Sequence, residues 1–160
     1  MVRITIGLNI NYMNSIKTIT PSQNNSGFTL DQVADFLFQA LEQYGDERHH
    51  ILACLNYAVS DDPGKGGSIT LATDENKIVG TVVINKTGMK GFIPENILVY
   101  IAVDPNQRGK GTGKALMETV IESTQGDIAL HVEPDNPAKR LYERLGFTNK
   151  YLEMRLHKEG

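Results

Sequence analysis

Residues 107–116, QRGKGTGKAL, set Arg108, Lys110 and Lys114 among three glycines, directly before an apolar helical run. Alternating glycines let a backbone turn tightly and approach a ligand, and the start of a following helix presents N–H groups and partial positive charge. The guest that suits such a loop is a phosphate. The NTPase loop G-x-x-x-x-G-K-[ST] does not fit, because Arg108 stands at its first glycine and Ala115 at its magnesium-binding hydroxyl. The dinucleotide fingerprint G-x-G-x-x-G fits Gly109 and Gly111 but meets Lys114 at its third glycine. The acidic residue that fingerprint expects about twenty positions on would be Glu133, which a proline follows. What remains is R-x-x-G-x-G, Arg108 to Gly113, reached from the strand-like run NILVYIAV through the turn DPNQ.

The elements that must position this loop can be read from periodicity and punctuation. Val2, Ile4, Ile6, Leu8, Ile10 and Tyr12 alternate with polar or small residues, which predicts an extra strand or arm over residues 1–14, with SIKTIT at 15–20 as a further short strand. Thr29 suits the cap of a helix that starts near Leu30, carries Val33, Phe36, Leu37, Ala40 and Leu41 on one face and ends at Gly45. A second helix is expected over 47–59, with Ile51, Leu55 and Ala58 inward, before SDDPGKGG breaks the chain in a loop expected to be mobile. SITLAT, the turn DENK and IVGTVVIN predict an antiparallel hairpin, and NILVYIAV, apolar on both faces, a central strand. Leu116, Met117, Val120 and Ile121 mark the inner side of a helix ending near Gly126, and DIALHV is a strand. Pro137 opens and Gly146 closes a last helix, after which FTNKYLEMRL is closing strand material. The expected class is therefore α/β (α+β), a mixed, mostly antiparallel central sheet flanked by helices, with residues 1–160 as one domain.

The loop Arg108 to Gly113 between strand and helix resembles the pyrophosphate loop, [QR]-x-x-G-x-[GA], of the GNAT N-acetyltransferases. A second block, NPAKRLYERLGF at 136–147, resembles the same family's N-x-x-A-x-x-x-Y-x-x-x-G-F through Ala138, Tyr142, Gly146 and Phe147. Asn136 departs from that pattern by standing two residues before the alanine instead of three. The resemblance covers roughly residues 68–156 and implies a GNAT-like fold that transfers an acetyl group from acetyl-CoA to an amine by direct attack. It implies that Arg108, Gly109, Lys110, Gly111, Thr112, Gly113 and Lys114 hold the pyrophosphate, that Asn136, Lys139 and Tyr142 contact the cofactor, and that pantetheine lies along the backbone of Ile101, Ala102 and Val103. A backbone N–H near Val103 is the implied donor to the thioester oxygen as it gains negative charge.

Two proton transfers then need groups. The departing thiolate, with a pKa of about 8.5, needs a proton, and Tyr142 is the implied acid, with packing beneath the cofactor as its alternative role. The amine must be neutral to attack, and the candidate bases are His131, on DIALHV, and Glu95, entering the central strand after Pro94, unless water relays the proton. His49 and His50, adjacent on a helix, are expected to point apart, so no metal site is expected, and Cys54 reads as a core thiol. Asp31, Asp35, Glu42, Asp46, Glu47, Asp61 and Asp62 make the first half acidic. That pattern fits either a mouth for a cationic amine or a solvated helix surface.

Composition bounds these readings. Net charge is −3, which argues against a nucleic-acid surface, and no apolar run reaches the eighteen or so residues of a membrane span. One cysteine and no signal-like N-terminus point to the cytoplasm, and an exposed sheet edge leaves a homodimer open. Two rivals use the same loop: a non-catalytic acyl-CoA-binding or regulatory module of this fold, and a nucleotide-dependent enzyme.

Overall fold

The computed structural model describes residues 15–160, and the strand or arm expected over 1–14 lies outside the described residues. Five strands form one sheet in the order β1(Ser15–Ile19), β2(Gly67–Asp74), β3(Lys77–Lys86), β4(Asn96–Val103), β5(Ile128–Leu130). The first four pair antiparallel, and β5 joins β4 in parallel. Glu75 and Asn76 join β2 to β3 with φ of 44° and 64°, the doubly left-handed turn whose twist matches a hairpin. The mixed, mostly antiparallel sheet flanked by helices is the class that the sequence predicts.

Helices α1(Leu30–Ala40) and α2(Arg48–Ala58) cover one face of the sheet. Thr29 caps α1 in a reciprocal box, its hydroxyl accepting from Gln32 N at 3.2 Å while Gln32 Oε1 accepts from Thr29 N at 2.9 Å. Val33, Leu37, Ile51 and Leu55 are fully buried against Ile69, Leu71 and Val83, each contributing about 1.5–3 kcal/mol of transfer free energy. Gly45 closes a short 3₁₀ turn, Glu42–Tyr44, that follows α1. The opposite face is covered by α3(Thr112–Ser123) and α4(Ala138–Arg144), which pack Leu116, Met117, Val120 and Tyr142 on Val79, Val82, Ile84 and Leu98.

Three expectations are corrected. The loop after α2 is tied down: Gly66 N donates to Tyr57 O, Lys86 N to Gly66 O, and the Tyr57 hydroxyl to Lys86 O at 2.7 Å. DIALHV contributes only Ile128–Leu130 to the sheet, so His131 lies just beyond the strand. FTNKYLEMRL forms no strand, and Tyr151, Leu152, Met154 and Leu156 are exposed, because the adjoining edge strand β5 is only three residues long. No helix among the described residues is long and apolar enough to cross a membrane.

Candidate active site

The site begins with one extra residue. Val83 of β3 opposes Tyr100 and Ile84 opposes Leu98, so Val99 is an unpaired insertion in β4. A bulge bends its strand and strengthens the local twist, and here it lies where β4 leaves β5: their ladder runs Asn96↔Ile128, Ile97↔Ala129, Leu98↔Leu130 and stops. Beyond the fork, no strand among the described residues lies beside that edge of β4. Asp104 N donates to Val79 O at 2.8 Å, which turns Asp104 toward β3 and, by strand alternation, turns Ile101 and Val103 toward the open edge. Val103 O confirms that direction by accepting from Arg108 Nε at 3.3 Å. Of the three backbone positions expected along the groove, Ile101 and Val103 therefore present their amide groups there, while Ala102 is committed to the β3 ladder.

At the end of this edge lies the glycine loop. Asp104 Oδ1 accepts from Asn106 N at 2.9 Å and sets the turn after β4. Gly109 and Gly111 have φ of 77° and 83°, and a Cβ at either would meet nothing within 4 Å. Glycine is thus required there by backbone conformation, in a loop that leaves space above it. Gly111 precedes α3 without a capping side chain, so the N–H groups of Gly113 and Lys114, which have no intrahelical acceptor, point out of the helix start. Gly80 of β3 holds that helix close: a Cβ on it would stand 2.7 Å from Leu116 Cδ1 and 3.2 Å from Thr112 Cγ2. The bulge and Gly80 are both missing from the sequence reading, since neither belongs to a motif and only register and packing show them.

The basic side chains of the loop do different things. Arg108 reaches back across the fold, donating from Nη2 to Ala40 O at 3.2 Å and lying 3.8 Å from Glu42 Oε1, so it ties the end of α1 to the end of β4. Lys110 is exposed on the loop, and Lys114 lies 3.7 Å from Glu118. Thr112 is buried at the first turn of α3. Past β5, Asn136 Oδ1 accepts from Ala138 N at 2.9 Å in the turn that leads into α4. Asn136, Lys139 and Arg140 line a shallow pocket of about 420 Å³. Tyr142 is 6% exposed, its ring tilted on Phe147 at 5.8 Å, and burial pushes its phenol up to about 12.

The two candidate bases part company. His131 follows Leu130, the last residue paired across the fork, and is exposed. Glu95 precedes Asn96 at the closed end of the ladder, where its Oε2 accepts from Asp127 N at 2.9 Å and its side chain fills the space beside Gly126. That backbone hydrogen bond holds its carboxyl below the usual range, and Glu95 serves as a clamp on the turn into β5.

On the α1/α2 face, Tyr100, the residue after the bulge, is 7% exposed and donates to Asp46 Oδ2 at 2.5 Å. Burial first, and then Asp46, raise its phenol well above the ordinary range. Cys54 accepts from Asn85 Nδ2 at 3.3 Å, and burial pushes its thiol up to about 11. His49 and His50 do not diverge as adjacency suggested: their rings lie 4.0 Å apart, with Glu47 Oε2 3.3 Å from His49 Nδ1. The ligating atoms of Glu47, His49 and His50 lie within 4.8 Å of one another, all exposed.

The same fold is found in known proteins. The fold is similar to that of an aminoglycoside N-acetyltransferase AAC(6')-Iy in complex with CoA, with a TM-score of 0.64 at 16% identity over 91% of this chain and 95% of that one. It is also similar to a possible acetyltransferase from Clostridium difficile 630, with a TM-score of 0.63 at 20% identity over 92% and 98%. In sequence the chain is 36% identical over 84 residues to a 5-NmdU N-acetyltransferase of Pseudomonas phage PaMx11. That match spans 51% of this chain and 58% of the relative. Residues 65–149, which run from β2 through the fork and the glycine loop to the end of α4, match the acetyltransferase (GNAT) domain, and the chain belongs to that family.

Proposed function

We propose that the chain, as one GNAT-like unit over residues 1–160, transfers an acetyl group from acetyl-CoA to a primary amine by direct attack. The observation that carries this is the open edge of β4, with Ile101 and Val103 facing it and the glycine loop at its end. Pantetheine pairs along that edge as an added strand, and the pyrophosphate meets the loop backbone, the start of α3 and Lys110. The CoA bound in the aminoglycoside enzyme supports this choice of cosubstrate.

In the proposed reaction the amine nitrogen forms a bond to the thioester carbon, the Val103 N–H stabilises the oxyanion, and the C–S bond breaks to leave CoA thiolate. His131, at the fork, is the proposed acceptor of the amine proton, directly or through water, and Glu95, clamped at the closed end, is not. Tyr142 is the proposed donor to the thiolate. The name of the phage relative makes the amine of 5-NmdU the first acceptor to try. A cytoplasmic setting belongs to the same reading and rests on the free thiol of Cys54.

Thermal shift with acetyl-CoA, CoA, ATP and NAD at matched concentration tests the cosubstrate, followed by thiol release with 5-NmdU and simple amines. A shift confined to CoA species, abolished in Gly111→Asp, is expected, with amine-dependent thiol release in the unaltered chain. CoA binding without thiol release on any amine would favour a binding module, and a larger shift with ATP or NAD would overturn the reading of the loop.

A further inference from the structure

A second cluster of chemistry-bearing side chains stands apart from the fork and the glycine loop, in the first turn of α2. Glu47 is the cap residue of that helix, yet its side chain makes no capping bond, and His49 and His50 follow it. Successive side chains on a helix point about 100° apart, which is why adjacency alone separates the two rings. The structure instead sets their centroids 4.0 Å apart with planes tilted by 39°, and Glu47 Oε2 lies 3.3 Å from His49 Nδ1. One carboxylate oxygen and two imidazole nitrogens thus come within 4.8 Å of one another.

These atoms have the identity and the spacing of a transition-metal site. A tetrahedral zinc ion with bonds of about 2.0–2.1 Å holds its ligand atoms about 3.3–3.4 Å apart, and the Glu47–His49 pair already stands at 3.3 Å. The remaining separations, up to 4.8 Å, close by side-chain rotation, and all three residues are exposed and have room for it. An ion pair between Glu47 and His49 accounts for one of the contacts. It does not account for His50, whose ligating nitrogen comes within the same 4.8 Å. Local charge is compatible with a cation. Arg48, between the ligands in sequence, is drawn off to Asp31 and Asp35 at 2.9 and 2.7 Å. The carboxylates of Asp46 and Glu47 counter the partial positive charge of the helix start.

We propose that Glu47, His49 and His50 form a surface site for a first-row transition-metal dication such as zinc, with solvent filling the remaining positions. Two imidazoles select zinc or nickel over magnesium and calcium, which take shells of oxygen. The ion ties the cap residue of α2 to the third residue of the helix and supplies the restraint that the absent capping bond does not. The site shares no residue with the proposed cofactor groove and stands independently of the acetyltransferase reading.

The test uses the untagged 160-residue chain, stripped of metal with a chelator. Zinc, nickel and magnesium chlorides are titrated by calorimetry, and the thermal midpoint is followed with each, because an ion that binds only the folded state raises it. Zinc and nickel should bind at one ion per chain with roughly micromolar affinity and raise the midpoint, and magnesium should do neither. His49→Gln and His50→Gln should each weaken zinc binding at least about tenfold, and Glu47→Gln by a smaller factor. Circular dichroism shows that each variant is folded. His157→Gln, at the exposed end of the chain, should leave zinc affinity within about twofold. Zinc binding that requires millimolar metal, that magnesium matches, or that persists unweakened in either histidine variant overturns the proposal.

Discussion

Tyr142 shows how burial sets what a side chain can do. A phenol near 12 keeps its proton throughout the working range of an enzyme, yet full transfer to a thiolate of pKa about 8.5 is uphill by roughly 5 kcal/mol. In the proposed reaction its contribution would then be a hydrogen bond to the sulfur as charge develops, with water completing the protonation. Tyr142→Phe keeps the ring against Phe147 and removes only the hydroxyl, so it should lower kcat by roughly tenfold while acetyl-CoA affinity and the thermal midpoint stay nearly constant. Steady-state kinetics check this, and an unchanged kcat would leave Tyr142 a packing residue. The glycine turn and the burial of Tyr142 were legible because each belongs to a local block, 107–116 and 136–147. The bond of Arg108 to Ala40 O was not, since its partner lies 68 residues away in the chain.

At the scale of elements, the site depends on where α3 begins, and Gly80 governs that distance. Adding one methyl places it 2.7 Å from Leu116, a fully buried side chain with little room to move, so the helix start must shift away from the sheet. Gly80→Ala should destabilise the fold by about 1–3 kcal/mol and weaken acetyl-CoA binding in proportion to the shift of the loop. Urea unfolding and calorimetric titration check the two effects, and destabilisation with unaltered binding would uncouple the loop from this packing. Helices α1 to α4 and strands β1 to β4 were legible because their periodicity, caps and turns agree with one another. The fork was not, because a bulge is a mismatch between two strands and neither strand carries it alone. The expected closing strand failed for a related reason: alternation states that a segment can be a strand, whereas pairing requires an edge, and β5 offers three residues.

For the whole molecule, the sheet divides the work. The face under α1 and α2 carries Tyr100 and Asp46, the face under α3 and α4 carries Tyr142 and the glycine loop, and the open edge of β4 separates them. Residues 151–160 belong to neither face. Tyr151, Leu152, Met154 and Leu156 are 78–91% exposed, and the contacts of this segment are local, Arg155 with Glu153 at 3.1 Å and Lys150 over the Tyr151 ring at 5.3 Å. Such contacts add little stability, because exposed pairs are worth at most about 1 kcal/mol and little apolar area is removed from water. Ending the chain at Lys150 should therefore leave the thermal midpoint within about 2 °C, since a change of 1 kcal/mol moves a domain of this size by about 2–4 °C. The acetyl-CoA thermal shift should be equally unaffected, because the fork and the glycine loop lie wholly within residues 96–131. A fall of the midpoint by 5 °C or more, measured on the two proteins side by side, would show that these residues pack in solution as the structure does not place them. The cofactor shift then separates the two ways this can happen: lost together with stability, it places the segment against the site, and retained, it places the segment elsewhere on the fold.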